Sequence, residues 1–173
     1  MNRTSPSAAP TAQSAVLAGK ILAIDYGRAR IGLAIAESLR GIAQPLATLE
    51  RINRNEDMRR LRELIRDRGV RFVLVGLPLR LDGTRGDMAE EVERFAQRVR
   101  KQIGVSVEMV DERLTSWQAE REMEEQFGRR SKAGSTKSKK KASEKISPDS
   151  MAAAIILRDY LGHKVVTAGS EAE

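Results

Sequence analysis

The sequence predicts an α/β fold with a mixed five-stranded sheet, whose first three strands form an antiparallel meander, flanked by helices. Two short apolar runs on either side of a turn that contains Gly27 indicate a β-hairpin. Downstream, short apolar runs alternate with segments of helical periodicity, an order typical of layered α/β folds. The chain has 173 residues, of which 40% are hydrophobic and only 3% aromatic. It is therefore long enough for one domain with an aliphatic core.

Each element of this fold follows from a local pattern. The predicted strands are Ile21–Ile24, Ile31–Ala36, Gly41–Leu49, Val70–Gly76 and Val105–Val110. Within the third, Pro45 indicates an edge strand or a bulge. The predicted helices are Glu56–Arg68, Asp87–Ile103, Ser116 to about Phe127, and a last helix that opens at Ser147-Pro148-Asp149. That opening combines a capping serine with a first-turn proline, and we expect Gly162 to end the helix.

The charge of the chain is concentrated in one segment. Between Arg129 and Lys145 there are eight basic residues and one acid, which account for the net charge of +7. Because residues 128–146 have no apolar periodicity, we expect a mobile basic loop within a single domain of residues 20–166. Residues 1–19 are rich in Ala, Ser, Thr and Pro and predict a disordered tail, and residues 167–173 predict a second short tail.

Composition also excludes several classes of site. The chain has no cysteine, which excludes disulfide scaffolds, cysteine-ligated zinc and thiol chemistry. His163 is the single histidine, which argues against histidine-rich metal sites and most Ser-His triads. No apolar run approaches the ~20 residues of a membrane span, and the N-terminus lacks the pattern of a secretion signal. We therefore expect a cytoplasmic protein without a membrane partner.

Three acidic residues stand at the ends of predicted elements. Asp25 ends the first strand, Glu112 follows the fifth, and Asp149 opens the last helix. If the first and fifth strands are parallel, these carboxylates meet at one edge of the sheet. Their mutual repulsion then favours a hard divalent cation, Mg²⁺ or Mn²⁺, which can orient a phosphodiester and activate water. Each acid also has an alternative role. Asp25 could be a turn residue, Glu112 a solvated charge at a strand end, and Asp149 a partner of the helix dipole.

Four stretches resemble motifs of the YqgF family, which has a ribonuclease H-like fold related to the RuvC Holliday junction resolvases. They are IDYGRARIGLAIAE at 24–37, VGLPLRLDGTRG at 75–86, DERLTS at 111–116 and DSMAAAIIL at 149–157. They follow the order of the family and span nearly all of Lys20 to Leu161. The resemblance implies a nuclease with Asp25, Glu112 and Asp149 as its metal-binding catalytic acids. It also implies that the substrate is the 5′ end of the 16S ribosomal RNA precursor.

The chain departs from the family pattern at two places. Arg80 stands where the family usually has Asn, and Leu81 where it commonly has Met. In addition, Ala152 stands three residues after Asp149, so the last helix offers only one acid in its first turn. RuvC-type resolvases carry a second acid on that helix, which puts a full two-metal site in question. Asp111 is expected to orient its loop, because adjacent strand residues point to opposite faces.

Basic residues near the acids predict contacts with a polyanion. The candidates for nucleic-acid binding are Arg28, Arg30, Arg80, Arg113, Lys132, Lys137, Lys139, Lys140, Lys141 and Lys145. A basic loop beside a carboxylate site attracts nucleic acid through counterion release. Surface salt bridges, and a solvated insertion, are the alternatives for these residues. The expected partners are pre-rRNA or branched DNA, together with pre-ribosomal particles, and no dimer surface stands out, so we expect a monomer or a weak dimer.

Three other functions remain open from the sequence. A Holliday junction resolvase is the alternative within the nuclease class, although resolvases generally act as symmetric dimers. A non-catalytic nucleic-acid-binding factor of ribosome assembly could retain the fold and all three acids. A sugar kinase or actin-like ATPase shares the fold and an Asp-x-Gly turn after strand one, but those proteins normally need two such domains. Comparing pre-16S RNA with a four-way DNA junction as substrates separates the first two of these from the predicted nuclease.

Overall fold

The computed structural model describes residues 19–39, 41–114 and 146–170. The strands are β1 (Lys20–Tyr26), β2 (Arg30–Ala36), β3 (Gln44–Pro45), β4 (Leu49–Glu50), β5 (Val70–Leu77) and β6 (Ser106–Asp111). The helices are α1 (Arg54–Arg68), α2 (Asp87–Arg98, continued by a π-helical turn Val99–Ile103) and α3 (Pro148–Ser170), with a 3₁₀ turn at Glu112–Leu114. Residues 1–18 and 171–173 of the predicted tails, the predicted helix from Ser116 to Phe127 and the basic residues of the 128–146 segment lie outside the described residues. Residues 167–170, predicted as the start of the second tail, belong to α3.

The sheet is mixed, as predicted, with the strand order β3-β2-β1-β5-β6. β1 pairs antiparallel with β2 and parallel with β5, and β5 pairs parallel with β6. The predicted third strand, Gly41–Leu49, is instead divided into β3 and β4, which both pair with β2 and bring the sheet to six strands. The pairing with β2 shifts by one residue between the two strands, since Pro45 lies opposite Ala34 but Leu49 lies opposite Ile31. Such a shift is typical of a β-bulge.

The two faces of the sheet are covered by different helices. Alternation along β1 directs Ile21 and Ala23 towards α3, and Leu22 and Ile24 towards α1 and α2. The face under α3 carries small residues such as Ala34, which let that helix lie close to the sheet. Asp25 has the same parity as Ala23, so its side chain belongs to the face that α3 covers. The carboxyl end of β1 and the start of α3 therefore meet at one edge.

The helix ends test the capping predictions. α1 is capped by Asn53, which accepts hydrogen bonds from two backbone amides, and it ends at Gly69 with φ +68°. Ser147 caps α3 as predicted, accepting a hydrogen bond from the Ser150 amide at 3.1 Å. The prediction that Gly162 ends α3 is wrong, since the helix continues to Ser170. Gly162 is not among the glycines with positive φ, and a helical glycine costs only about 1 kcal/mol relative to alanine.

Within the described part of the chain, none of the helices has the length and apolar character needed to cross a membrane. The amphipathic character of the helices matches this finding: α1 buries Met58, Leu61 and Ile65 and presents charged residues elsewhere. α2 likewise buries Val92 and Phe95. Both helices therefore present one apolar stripe to the sheet and a polar face to solvent.

Candidate active site

Asp25 lies near the carboxyl end of β1, directly opposite Gly32 of β2. It follows four residues that are completely buried, so a rigid strand holds its carboxylate at the rim of the core. Burial, followed by the negative charge of Asp149, raises the pKa of Asp25 to about 6. Asp25 is thus a partly desolvated carboxylate with a second carboxylate close to it.

Gly32 brings Asp149 to this position. A β-carbon at Gly32 would overlap the backbone carbonyl of Asp149, and it would lie 3.0 Å from the amide nitrogen of Ser150. The first turn of α3 therefore rests directly on the backbone of β2, across from Asp25. Ser150 is fully buried, and its hydroxyl donates to the Ser147 carbonyl at 2.9 Å, which fixes the start of the helix.

Glu112 approaches from the other side. It follows β6 as the first residue of the 3₁₀ turn, and β5 lies between β6 and β1. A β-carbon at Gly76 of β5 would overlap the Oε1 atom of Glu112 and lie 2.8 Å from Ile156 of α3. The space left by this glycine is occupied by the Glu112 side chain. Burial, followed by the charges of Asp25 and Asp111, raises the pKa of Glu112 to about 7.

Asp25 is the common neighbour of the other two acids. The charge of Asp25 raises the pKa of Glu112, and the charge of Asp149 raises the pKa of Asp25. The structure therefore brings together the three residues that the sequence singled out. As they stand, the described residues contain no group of three acidic or histidine side chains that could hold a metal ion. The carboxylates share one edge of the sheet but do not form a complete coordination site.

One carboxylate oxygen at this edge is short of partners. Asp149 Oδ2 is buried and accepts no hydrogen bond from any residue that the structure describes. The guanidinium Nε of Arg30 lies 3.0 Å from it, so the charge is paired although the hydrogen-bond geometry is poor. A buried carboxylate oxygen without a hydrogen bond is well suited to coordinate a cation. The donor set of three carboxylates fits the hard ions Mg²⁺ and Mn²⁺.

The other predicted contact residues are distributed around this edge. Arg28 donates to Glu91 of α2 at 2.7 Å, and Arg30 pairs with Asp149. Arg113 holds Asp111 through two nitrogens, at 3.1 and 2.7 Å, which lowers the pKa of Asp111. The prediction that Asp111 orients its loop is therefore confirmed. The six candidate lysines of the basic segment lie outside the described residues: Lys132, Lys137, Lys139, Lys140, Lys141 and Lys145.

Sequence reasoning missed the residues that shape the site. Arg51 donates to the Tyr26 hydroxyl at 2.7 Å, to buried Asp57 at 3.0 Å and to the Gly27 carbonyl at 3.3 Å. It therefore anchors the turn between β1 and β2. No sequence pattern identifies a single loop arginine as important. Gly32 and Gly76, by contrast, could have been identified from their positions inside apolar strands. A glycine inside an apolar strand often marks the close approach of another backbone or side chain.

Comparisons with known proteins agree with this geometry. The RuvX family, described as Holliday junction resolvase, matches residues 19–163. The chain belongs to the RuvX family. This confirms the family predicted from the four motifs, and the nuclease class with it.

Relatives named "Putative pre-16S rRNA nuclease" match most of the chain. The protein from Endomicrobium trichonymphae is 37% identical and covers 82% of this chain and 94% of its own length. The protein from Chloroflexus aurantiacus is 42% identical and covers 82% and 85%. The solved structure of Thermus thermophilus RuvC in complex with a Holliday junction substrate superposes with a TM-score of 0.54 at 12% identity. It covers 84% of this chain and 96% of that one, which confirms the predicted ribonuclease H-like fold.

Proposed function

We propose that this RuvX-family nuclease is metal-dependent and hydrolyses a phosphodiester bond of the 16S ribosomal RNA precursor. The observation that carries the proposal is the meeting of Asp25, Glu112 and Asp149 at one edge of the sheet. Two glycines, Gly32 and Gly76, leave the space that this meeting requires. The charge of Asp149 raises the pKa of Asp25, and the charge of Asp25 raises the pKa of Glu112. Such repulsion between carboxylates is costly to a fold, and a divalent cation would offset that cost.

In this proposal the three carboxylates hold Mg²⁺ or Mn²⁺. Asp149 Oδ2, which accepts no hydrogen bond from the described residues, supports a role as a ligand. When bound, the ion would polarise the phosphate and lower the pKa of a water molecule. The protein supplies a rigid strand under Asp25 and a fixed helix start under Asp149. Arg30 is close enough to Asp149 to transfer its contact to a phosphate oxygen.

The substrate is inferred from the relatives, whose names specify pre-16S rRNA. The lysine-rich segment directly before α3 would attract such an RNA by counterion release, without reading its sequence. We expect the protein to meet this RNA in the cytoplasm, on pre-ribosomal particles, and to act as a monomer or a weak dimer.

Substitution of each acid tests the site. We expect Asp25→Asn, Glu112→Gln and Asp149→Asn to lower the cleavage rate of pre-16S RNA with Mn²⁺ by at least about 100-fold. The fold should remain intact by circular dichroism. Asp67→Asn is the matched control, because Asp67 is an exposed acid at the end of α1. Cleavage by Asp25→Asn at the rate of the wild type would show that the active site has been assigned wrongly.

Junction resolution is a second candidate, which the description of the family and the RuvC-like fold both favour. A four-way DNA junction, offered beside pre-16S RNA to the wild type and to Asp25→Asn, separates the two activities. Cleavage of the junction alone would assign a resolvase. Cleavage of neither substrate, with retained binding to both, would favour a nucleic-acid-binding factor without catalysis.

A further inference from the structure

A short hairpin connects β5 to the N-terminus of α2. Leu79 pairs antiparallel with Arg85, and the Arg80 amide donates to the Thr84 carbonyl at 2.9 Å. At the tip, the Gly83 amide donates to the Arg80 carbonyl at 2.8 Å. Gly83 has φ +85°, the left-handed conformation that favours glycine. We call residues 79–85 the tip hairpin; its backbone is fixed by its own hydrogen bonds.

The tip hairpin satisfies its polar groups but leaves one apolar side chain in water. Asp82 accepts hydrogen bonds from the amide and the hydroxyl of Thr84, at 2.9 and 2.7 Å. Leu81 beside it is 97% exposed, whereas the next most exposed large apolar residue of the described chain, Ile42, is 68% exposed. A rigid turn thus presents a leucine that contributes nothing to the core.

The tip hairpin is tied to the candidate active site. Arg113, the residue after Glu112, donates to the Leu81 carbonyl at 3.3 Å. The same guanidinium is held by the carboxylate of Asp111 at the end of β6. The position of Leu81 is therefore set by the strand that also positions Glu112.

The charge around Leu81 identifies the kind of ligand. Arg80, Arg85 and Arg113 lie on or against the tip hairpin. Arg85 pairs with Glu93 at 3.0 Å, but no acid of the described chain lies within salt-bridge distance of Arg80. Arg113 is paired with Asp111, so Arg80 is the member of this group without an acidic partner among the described residues. A cation without an acidic partner, on the same rigid turn as an exposed leucine, does not suit an apolar protein surface. It suits a polyanion that also offers apolar faces, which is the chemistry of a nucleic-acid strand with unpaired bases.

We propose that Leu81 packs against the face of an unpaired base of the substrate strand, while Arg80 contacts a neighbouring phosphate. The proposal rests on the proposed function for the class of ligand, a nucleic acid. It adds a specificity: bases inside a duplex are stacked on one another and cannot offer their faces, so the tip hairpin selects single-stranded segments beside the cleavage position. Leu81 thus belongs to substrate recognition, outside the catalytic carboxylates.

Binding without cleavage tests this proposal. A fluorescein-labelled single-stranded RNA, and the same RNA annealed to its complement, are titrated with the protein in a chelator and followed by anisotropy. We expect Leu81→Ser to raise the Kd for the single strand about fivefold and to leave the Kd for the duplex unchanged. Leu81→Met should bind like the wild type. Arg80→Gln should weaken binding to both RNAs and flatten the salt dependence, which Leu81→Ser should not.

Ile42→Ser is the matched control, because Ile42 is exposed beyond the carboxyl end of β2, at the opposite end of that strand from Arg30. Equal effects of Leu81→Ser and Ile42→Ser, or an equal loss of affinity for single strand and duplex, would overturn the proposal. Since no metal is present, the result does not depend on cleavage. A protein that fails to cut RNA can still pass this test, and a protein that cuts RNA can still fail it.

Discussion

Asp149 opens a helix whose backbone touches β2 directly opposite Asp25, whereas Glu112 reaches the same edge with its side chain alone. β1 is buried through Ile21–Ile24, and the first turn of α3 lies against Gly32 without an intervening side chain. β6, by contrast, is the last strand of the sheet, and none of its residues is fully buried. One half of the site is therefore part of the core, and the other half is attached to its margin.

This difference predicts how the two halves of the site respond to substitution. Backbone atoms of packed elements cannot move without disturbing the whole interface, while the end of a glutamate side chain can rotate into another rotamer. The two glycines that make room for these contacts, Gly32 and Gly76, should therefore respond differently to the same added methyl group. Gly32→Ala should lower the stability of the protein, and Gly76→Ala should lower its activity.

The largest expected effect is that of Gly32→Ala. The new β-carbon overlaps the Asp149 carbonyl, so α3 must move away from β2 and the core under it must open. We expect the free energy of unfolding to fall by about 3 kcal/mol, the upper end of the usual cost of overpacking. Chemical denaturation measures this value. Gly162→Ala is the control, since a β-carbon there meets nothing within 4 Å, and a gain of up to about 1 kcal/mol is expected.

Gly76→Ala should have a smaller effect on stability and a large one on catalysis. The added methyl group meets the carboxylate of Glu112 and the side chain of Ile156, both of which can move. We expect a loss of about 1 kcal/mol in stability. The cleavage rate should fall as far as in Glu112→Gln, with the Kd for RNA little changed. A variant as unstable as Gly32→Ala, or one with normal cleavage, would contradict the distinction between the two halves.

The sequence was sufficient for the half of the site that follows strict patterns. Apolar runs and a Ser-Pro-Asp opening predicted β1, β2 and the start of α3, and hence the positions of Asp25 and Asp149. The division of the third strand and the continuation of α3 through Gly162 were not predictable in the same way. The division follows a one-residue shift in the pairing with β2, and α3 passes through Gly162 because a helical glycine costs only about 1 kcal/mol. The Glu112 side chain lies over Gly76 because β5 is the strand between β1 and β6. No local sequence pattern encodes this strand order.

The smallest expected effect is a dependence of stability on pH that involves both halves. In the folded protein, Asp25 has a pKa of about 6 instead of 3.8, and Glu112 of about 7 instead of 4.5. The folded state thus keeps protons that the unfolded state has already released at intermediate pH. Raising the pH through this window therefore favours unfolding. In a chelator, we expect Tm to fall on the order of 5 °C between about pH 5 and pH 8.

Asp25→Asn connects this pH dependence to the shared edge. The amide removes one titrating group and also the charge that raises the pKa of Glu112, so the variant should show a flatter profile and a higher Tm than the wild type at about pH 8. Asp67→Asn, on the exposed end of α1, should follow the wild-type profile. If Asp25→Asn instead unfolded at the same temperature as the wild type throughout, the carboxylates would not repel one another. The two halves would then have to be regarded as separate sites. A flatter dependence of Tm on pH in Asp25→Asn would instead show that Asp25 interacts with Glu112 across the two halves.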